Sequence, residues 1–207
     1  MPATRVLLIR HGQSIWNAEG RWQGSADPPL SELGEEQARS GARRLGSVGT
    51  FDGVGSSALR RAIRTAEHLA AGVDAPMIGQ LAGLNERHAG DWEGLTRAEI
   101  EQGYPGWLDE QRRPEGYEGD ASIVERGIAA LRELADRHEG ATLAMVAHGG
   151  IIGTLERHTN GEPWRRLANL EARWFEIADR VVTPVGERVH LVDPDQETQP
   201  PTPRDYA

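Results

Sequence analysis

The 207-residue sequence contains no cysteine and no lysine. Without cysteine the chain forms no disulfide and supplies no thiol, which fits a reducing compartment. Without lysine, all 23 basic residues are arginines, so lysine Schiff-base chemistry and the P-loop lysine are both excluded. Any anion that the protein binds must therefore be held by arginine, histidine or backbone N–H groups, and the planar arginine fork suits phosphate oxygens.

Long hydrophobic runs are also missing, and aromatic residues make up only 5% of the chain. No apolar run approaches the roughly 18 residues that a membrane-spanning helix needs. The first apolar run is short and is followed directly by Arg10 and His11, unlike the hydrophobic stretch of a signal peptide. We therefore expect a cytoplasmic protein without membrane contact. The net charge of −9 argues against a nucleic-acid partner, since binding to a phosphate backbone favours a basic face.

The length suits one domain with a sizeable core, which we expect to cover residues 1–195. Residues 196–207 hold three prolines and few apolar groups, a composition typical of a mobile tail. A homodimer is compatible with the sequence, although no self-complementary pattern indicates one.

Apolar runs alternate with amphipathic segments along the chain. Strands are predicted at residues 4–9, 53–57, 75–80, 142–146, 169–177 and 188–192. Helices are predicted from the Ser31 cap to about Leu45, from about Arg61 to Ala71 with Gly72 ending the helix, and from the capping boxes Thr96–Glu99 and Ser122–Glu125. Because strands alternate with helices, the sequence predicts an α/β fold with a mainly parallel sheet.

Both of the most apolar strands end in a histidine that is followed by glycine, as Arg10-His11-Gly12 and as His148-Gly149-Gly150. Ligands bind outside the carboxyl ends of parallel strands, so we expect both histidines at one edge of the sheet. Either histidine alone is more simply explained by a structural role. The pair, with glycines that let backbone N–H groups approach an anion, predicts a phosphate site.

Five segments, in this order, resemble the histidine phosphatase superfamily, also called the phosphoglycerate-mutase-like family. They are Leu8-Ile9-Arg10-His11-Gly12-Gln13-Ser14; Asn17 with Arg21-Trp22-Gln23-Gly24; Ser57-Ala58-Leu59-Arg60-Arg61-Ala62; Leu84-Asn85-Glu86-Arg87 with Gly90-Asp91-Trp92-Glu93-Gly94; and Val146-Ala147-His148-Gly149-Gly150. The resemblance spans about residues 4–178. It implies a single-domain, three-layer α/β/α fold and metal-independent hydrolysis of a small phosphorylated metabolite, with no cofactor.

The resemblance also implies a role for each matching position. His11 is the nucleophile that becomes a phosphohistidine, and Glu86 is the general acid and afterwards the base for water. Arg10, Arg61 and His148 surround the phosphoryl group and neutralise its charge. Contacts to phosphate or to nearby substrate oxygens come from Asn17, Gln23 and the backbone of Gly24 and Gly149. These roles agree with the chemistry, because phosphoryl transfer depends mainly on positioning and on electrostatic stabilisation.

Two of these assignments choose between neighbouring residues. Only one of Arg60 and Arg61 can point inward, and the family motif selects Arg61. Glu86 competes with Glu93 for the acid role, and the order of the motifs favours Glu86, which leaves a structural role for Glu93. The sequence has no metal-ligand spacing such as H-E-x-x-H, and we expect no metal.

Hydrolysis and mutase activity both occur in this family. Its mutases cover the site with a long insertion between the acid and the second histidine, whereas Glu86 and His148 are 62 positions apart here, which favours hydrolysis. The alternatives are a cofactor-dependent phosphoglycerate mutase and a non-catalytic member that binds a phosphorylated ligand. Residues 96–120 should form part of a lid, in which Arg112 and Arg113 either contact a second anionic group of the substrate or remain solvated.

Overall fold

The computed structural model describes residues 2–161 and 165–192, and the tail predicted at residues 196–207 lies outside them. In the described ranges the strands are β1 (Thr4–Arg10), β2 (Gly53–Ser56), β3 (Met77–Gln80), β4 (Thr142–Ala147), β5 (Glu171–Ala178) and β6 (Val181–His190). The α-helices are α1 (Ile15–Ala18), α2 (Glu32–Val48), α3 (Arg60–Val73), α4 (Arg97–Gly103), α5 (Asp120–Arg137) and α6 (Gly149–Asn160). None of the helices in these ranges combines the length and the hydropathy that crossing a membrane requires.

The strands form one sheet in the order β3-β2-β4-β1-β5-β6. The pairs β1–β4, β4–β2 and β2–β3 are parallel, whereas β5 and β6 are antiparallel to their neighbours. The prediction of an α/β fold with a mainly parallel sheet is therefore confirmed. Arg10 lies opposite Ala147 in the register of β1 and β4, so the chain leaves both strands side by side, at His11 and His148.

Helices cover both faces of the sheet, because alternate side chains of β1 point to opposite sides. Val6 and Leu8 pack with side chains of α5 and α6 in one core cluster. Leu7 and Ile9 pack with side chains of α2 and α3 in the other. Burial of each such side chain stabilises the fold by about 1.5–3 kcal/mol relative to leaving it exposed. The result is the three-layer α/β/α arrangement that the family resemblance implies.

Gly72 does not end α3 as predicted. The helix continues to Val73 and ends at Asp74, which adopts a left-handed conformation with φ of 52°. Gly72 faces α2 instead, where an added Cβ would lie 2.3 Å from the Cβ of Ala42. The glycine therefore allows two helices to approach closely, a use that the sequence does not distinguish from helix termination.

The predicted start of α5 at Ser122 is also wrong. The helix begins at Asp120, and Gly119 is the residue that precedes it. The Ser122 hydroxyl lies inside the first turn and donates to Glu118 Oε1 at 2.7 Å. A serine followed three residues later by glutamate is therefore not a cap here, because its hydroxyl reaches back to a side chain before the helix.

The last two strands are displaced from their predicted positions. The sequence predicts residues 169–177 and 188–192, whereas β5 is Glu171–Ala178 and β6 is Val181–His190. β6 begins earlier because it lies at the edge of the sheet, where Pro184 and exposed side chains are tolerated. An edge strand lacks the continuous apolar run by which buried strands are recognised.

A third apolar cluster lies outside the two helical layers. We call it the aromatic cluster; its aromatic members are Trp22, Trp92, Tyr104, Trp107 and Tyr117. Trp92 is fully buried and meets the rings of Trp22, Tyr104 and Tyr117 edge to face, with centroids 5.2, 6.0 and 6.3 Å away. The cluster attaches most of the segment 96–120 to the loop that follows β1.

Helix α4, in the same segment, begins with the predicted capping box. The Glu99 N–H donates to Thr96 Oγ1 at 3.2 Å, and the Thr96 N–H donates to Glu99 Oε2 at 2.7 Å. Two backbone donors that the helix cannot satisfy are thereby paired, and this part of the prediction is confirmed.

Candidate active site

His11 and His148 lie at the carboxyl ends of the two central strands. Their ring centroids are 5.0 Å apart, and both side chains are buried. Because β1 and β4 are neighbours in the sheet, the two histidines meet although 137 positions separate them in the sequence.

The contacts of the His11 ring define its tautomer. Nδ1 lies 2.6 Å from the carbonyl oxygen of Gly12. A carbonyl only accepts hydrogen bonds, so Nδ1 carries the hydrogen and Nε2 keeps its lone pair. Nε2 accepts from Arg61 Nε at 3.3 Å. The Nε2 lone pair therefore points to the Arg61 guanidinium, and an anion bound here must take over this hydrogen bond before Nε2 can act as a nucleophile.

Arg61 is fully buried at the start of α3, whereas Arg60 is exposed, so the choice between the two arginines is confirmed. The guanidinium donates from Nη1 to the carbonyl of Ala26 at 2.7 Å and from Nη2 to the carbonyl of Gly24 at 3.1 Å. Two carbonyls of one loop therefore fix the orientation of this cation against the His11 ring.

Burial lowers the pKa of His11 well below its ordinary value, and the charges of Arg61 and Arg10 lower it further. Burial likewise lowers the pKa of His148, with Arg61 as the next largest cause. The neutral form of both rings is therefore favoured, so no separate base is needed to remove a proton from Nε2 of His11.

The second histidine is oriented by a serine. Ser57 Oγ lies 2.7 Å from His148 Nε2 and accepts from the Leu59 N–H at 3.4 Å. When the serine hydroxyl donates to Nε2, the imidazole hydrogen lies on Nδ1. That buried Nδ1 has no hydrogen-bond partner among the described residues. In that tautomer, Nδ1–H would be an unpaired buried donor on a ring whose centroid lies 5.0 Å from that of His11, an arrangement suited to an oxyanion.

Arg10 and His11 are tied to the segment before β5. Arg10 donates through Nη1 to the carbonyl of Leu167, and the Leu170 N–H donates to the Arg10 carbonyl at 3.0 Å. Asn169 Nδ2 donates to the His11 carbonyl at 2.8 Å. The sequence did not identify Asn169, because no motif marks it and its contact joins residues 158 positions apart.

The Glu86 carboxylate is oriented by backbone donors. Oε1 accepts from the Arg87 N–H at 2.8 Å, and Oε2 accepts from the Gly150 N–H at 3.0 Å. A Cβ at position 150 would lie 2.4 Å from Oε1, so the second glycine after His148 is needed for this approach. The contact brings the acid segment against the start of α6.

Glu93 is occupied by the loops around the cleft. Its Oε1 accepts from the backbone N–H groups of Ser25 at 2.8 Å and of Ala89 at 3.1 Å. A Cβ on Gly24, which has a φ of 53°, would meet the same oxygen at 2.1 Å. These contacts join the loop that holds Arg61 to the segment that carries Glu86, which agrees with the structural role expected for Glu93.

Arg10, His11 and Glu86 line a cleft, whereas Arg61, His148 and Gly24 are not among its lining residues. Its lining contains Arg10, His11, Asn17, Gln23, Glu86 and Gly149, together with Arg21, Trp22, Gly150, Arg166 and Leu167. Gln23 Oε1 accepts from the Ser14 hydroxyl at 2.5 Å, and Asn17 Oδ1 accepts from the Ser14 N–H at 3.3 Å. Sequence reasoning did not assign Arg21, Trp22 or Arg166 to the cleft.

Arg112 and Arg113 are not among the residues that line this cleft. The Arg112 guanidinium lies 4.2 Å from the centroid of the Trp107 ring. The Arg113 guanidinium lies 5.3 Å from the ring of Tyr117 and 5.8 Å from that of Trp92. Both arginines stack on the aromatic cluster.

In residues 2–161 and 165–192, no three histidine, aspartate or glutamate side chains are grouped so that they could bind a metal ion.

A model of the histidine phosphatase superfamily (branch 1) matches residues 6–190. The chain therefore belongs to this superfamily, the class that the fold and the paired histidines define. It is 35% identical over 194 residues to a glucosyl-3-phosphoglycerate phosphatase of Mycolicibacterium vanbaalenii, covering 86% of this chain and 85% of that protein. It is 33% identical over 185 residues to a metal-independent phosphoserine phosphatase of Arabidopsis thaliana, covering 86% and 78%.

The comparison with solved structures supports the same family. A mycobacterial glucosyl-3-phosphoglycerate phosphatase in complex with VO3 superposes with a TM-score of 0.74 at 30% identity, covering 83% of this chain and 90% of that one. The protein is a phosphatase of the superfamily, a phosphoric monoester hydrolase.

Proposed function

We propose that the protein hydrolyses a small phosphorylated metabolite in the cytoplasm, without a metal or cofactor, through a phosphohistidine on His11. The observation that supports this best is the state of the His11 ring. Its Nδ1–H is engaged with the Gly12 carbonyl, its Nε2 faces the Arg61 guanidinium, and its pKa is lowered by burial. A neutral imidazole with a fixed lone pair is prepared for attack on phosphorus.

In the first step of the proposed reaction, His11 Nε2 attacks the phosphorus atom in line with the ester oxygen. The P–N bond forms as the P–O bond breaks, and protonated Glu86 gives its proton to the leaving alkoxide. Arg10, Arg61 and the Nδ1–H of His148 neutralise the charge on the equatorial phosphoryl oxygens. Asn17, Gln23 and the backbone of Gly24 and Gly149 complete the set of contacts to phosphate or nearby oxygens.

In the second step, the Glu86 carboxylate removes a proton from a water molecule, and the water oxygen attacks the phosphohistidine. The P–N bond breaks, inorganic phosphate leaves and His11 returns to its neutral form. The position of Glu86, 3.0 Å from the Gly150 N–H just after the second histidine, suits a group that acts on both sides of the intermediate.

The names of the relatives suggest the class of substrate. Glucosyl-3-phosphoglycerate and phosphoserine both carry a carboxylate in addition to the phosphate ester. We infer that this chain also acts on a small phosphomonoester with a carboxylate. The segment 96–120, attached through the aromatic cluster, is proposed to cover the bound metabolite as a lid.

Phosphate release in the presence of a metal chelator tests the proposal. The panel contains p-nitrophenyl phosphate, 3-phosphoglycerate, phosphoserine and glucosyl-3-phosphoglycerate. We expect release from at least one carboxylated compound, and we expect His11→Ala to lower kcat by at least about 10³-fold, because the covalent route is lost. The matched control is His158→Ala, at an exposed histidine of α6, which should retain the full rate.

Each alternative would give a different result. Interconversion of 2- and 3-phosphoglycerate at a rate comparable to phosphate release would indicate a mutase. Tight binding of these compounds without turnover would indicate a non-catalytic member. A rate in His11→Ala equal to that of the wild type would rule out the phosphohistidine.

A further inference from the structure

The cleft contains more positive charge than a single phosphoryl group requires. Three arginines line it, Arg10, Arg21 and Arg166, and a fourth, Arg61, donates to Nε2 of His11. The lining also contains the acidic residue Glu86. Arg10 and Arg61 suffice for a phosphate dianion, so the two other arginines need a separate explanation.

Arg21 has a structural explanation in its own contacts. Its Nε donates to Glu19 Oε2 at 2.9 Å, and its Nη1 donates to Glu99 Oε2 at 3.0 Å and to the Gly94 carbonyl at 2.7 Å. Two carboxylates thus balance its charge, and most of its donors are engaged. Arg21 fastens the loop after β1 to the start of α4.

The backbone around Arg166 is built into the proposed phosphoryl site. The next carbonyl along the chain, that of Leu167, accepts from the Arg10 guanidinium. Three residues after Arg166, the Asn169 side chain donates to the His11 carbonyl at 2.8 Å. Arg166 is half-buried and lines the cleft, next in sequence to the carbonyl that holds Arg10.

The same segment is fixed from behind by a buried arginine of β6. Arg188 donates from Nη1 to the Arg166 carbonyl at 3.1 Å and from Nη2 to the Arg165 carbonyl at 2.8 Å. Arg188 is in turn paired with Glu156 on α6 and with Glu171 on β5. A binding arginine whose backbone is already positioned loses less conformational entropy when a ligand arrives.

We propose that Arg166 binds the second anionic group of the substrate, a carboxylate close to the phosphate ester, and so selects carboxylated phosphomonoesters. The inference rests on the proposed function, since it assigns one more contact of the same site. It also replaces Arg112 and Arg113 in this role, because those guanidinium groups stack on Trp107, Trp92 and Tyr117 outside the cleft. A guanidinium fork matches a carboxylate through two parallel hydrogen bonds.

Two phosphate esters that differ only in the carboxylate provide the test. 3-Phosphoglycerate and glycerol 3-phosphate have the same skeleton, with a carboxylate in the first where the second has a hydroxymethyl group. Each is measured as a substrate and as a competitive inhibitor of p-nitrophenyl phosphate hydrolysis. In Arg166→Ala we expect the inhibition constant of 3-phosphoglycerate to rise about 10- to 100-fold and that of glycerol 3-phosphate to change less than about twofold.

Two further variants sharpen the result. Arg166→Lys keeps the charge but loses the fork, so we expect an intermediate loss for 3-phosphoglycerate. Arg113→Ala, the matched control, should leave the ratio of the two inhibition constants unchanged. A change in that ratio for Arg113→Ala and none for Arg166→Ala would overturn the inference.

Failure of the inference can be told apart from failure of the proposed function. Equal losses for both esters in Arg166→Ala, with wild-type hydrolysis intact, would show a general electrostatic effect and would overturn only the role of Arg166. Absence of phosphate release by the wild-type protein from every compound would overturn the proposed function and this inference together.

Discussion

Two regions border the same cleft and are stabilised in different ways. The proposed phosphoryl pocket, which we call the phosphoryl pocket, combines Arg10, His11 and His148 at the ends of the two central strands with Arg61 at the start of α3. Its side chains are oriented mainly by backbone carbonyls and a serine. The aromatic cluster consists of rings from loops and one short helix that pack on one another. The residues proposed to act on phosphorus are placed by the sheet and by the start of α3. The aromatic cluster is held by ring packing together with loop hydrogen bonds, such as those that join Trp22 to Gly94 and Leu95.

Removal of the central ring should separate the two regions most clearly. We expect Trp92→Ala to lower the free energy of unfolding by about 3–5 kcal/mol, because a fully buried large side chain is lost. In hydrogen exchange, the amides of α4 should lose protection well before those of β1 and β4. Urea titration and exchange mass spectrometry measure the two effects.

Trp92→Phe is the control for this change. It keeps a ring in place and removes an indole N–H that has no partner among the described residues, so its cost should be much smaller. Simultaneous exchange of α4 and β1 in Trp92→Ala would show instead that the two regions unfold as one unit.

A smaller effect is expected in the phosphoryl pocket when Ser57 is replaced. Ser57→Ala leaves His148 Nε2 without its hydrogen-bond partner at 2.7 Å, so the tautomer with a free Nδ1–H is no longer favoured. We expect kcat to fall about tenfold with little change in KM, as for the loss of one hydrogen bond to a catalytic group. Steady-state kinetics on the best substrate of the panel measures this.

The adjacent serine provides a matched control. Ser56 is equally buried, but its hydroxyl donates to the Ser57 carbonyl at 2.7 Å rather than to the histidine. Ser56→Ala should therefore cost stability without the fall in kcat, and Ser57→Thr should restore the rate. Equal rates in Ser57→Ala and the wild type would refute the orienting role.

The smallest expected effect is a pH dependence confined to the phosphoryl pocket. The pKa values of His11 and His148 are lowered by burial, so below about pH 6.5 the unfolded chain binds protons that the folded protein does not. The contribution of these two histidines to the free energy of unfolding is therefore complete above that pH. It is lost on acidification toward the lowered pKa values. Between pH 7.5 and 5.5, the free energy of unfolding of His148→Gln should fall by about 1 kcal/mol less than that of the wild type.

The aromatic cluster should not contribute to this slope. It contains no histidine, and burial raises the pKa of Tyr117 above its usual value of about 10, far from this range. Trp92→Phe should thus retain the wild-type pH dependence. The same slope in His148→Gln and the wild type would show that His148 does not titrate differently in the folded and unfolded states.

The central sheet and the paired histidines could be predicted because both depend on local patterns. Apolar runs identify β1 and β4, and the histidine-glycine pairs mark their ends. Arg166 could not be predicted, because its place in the cleft follows from long-range contacts: Arg188 binds its carbonyl from 22 positions away. Gly72 and Ser122 were misread since one residue type serves two purposes, and only the packing partners, Ala42 and Glu118, distinguish them.

Arg188 on the outermost strand has a consequence for how such an enzyme can diversify. It lies on β6, outside all five family motifs, yet its guanidinium donates a hydrogen bond to the Arg166 carbonyl. Because the Arg188 side chain is buried and paired with Glu156 and Glu171, its replacement would cost stability as well as shift the backbone at the mouth of the cleft. A library of variants restricted to the exposed residues of β6, with Arg188 and Leu167 kept, would therefore search for new substrates while the contacts of Arg10 stay in place.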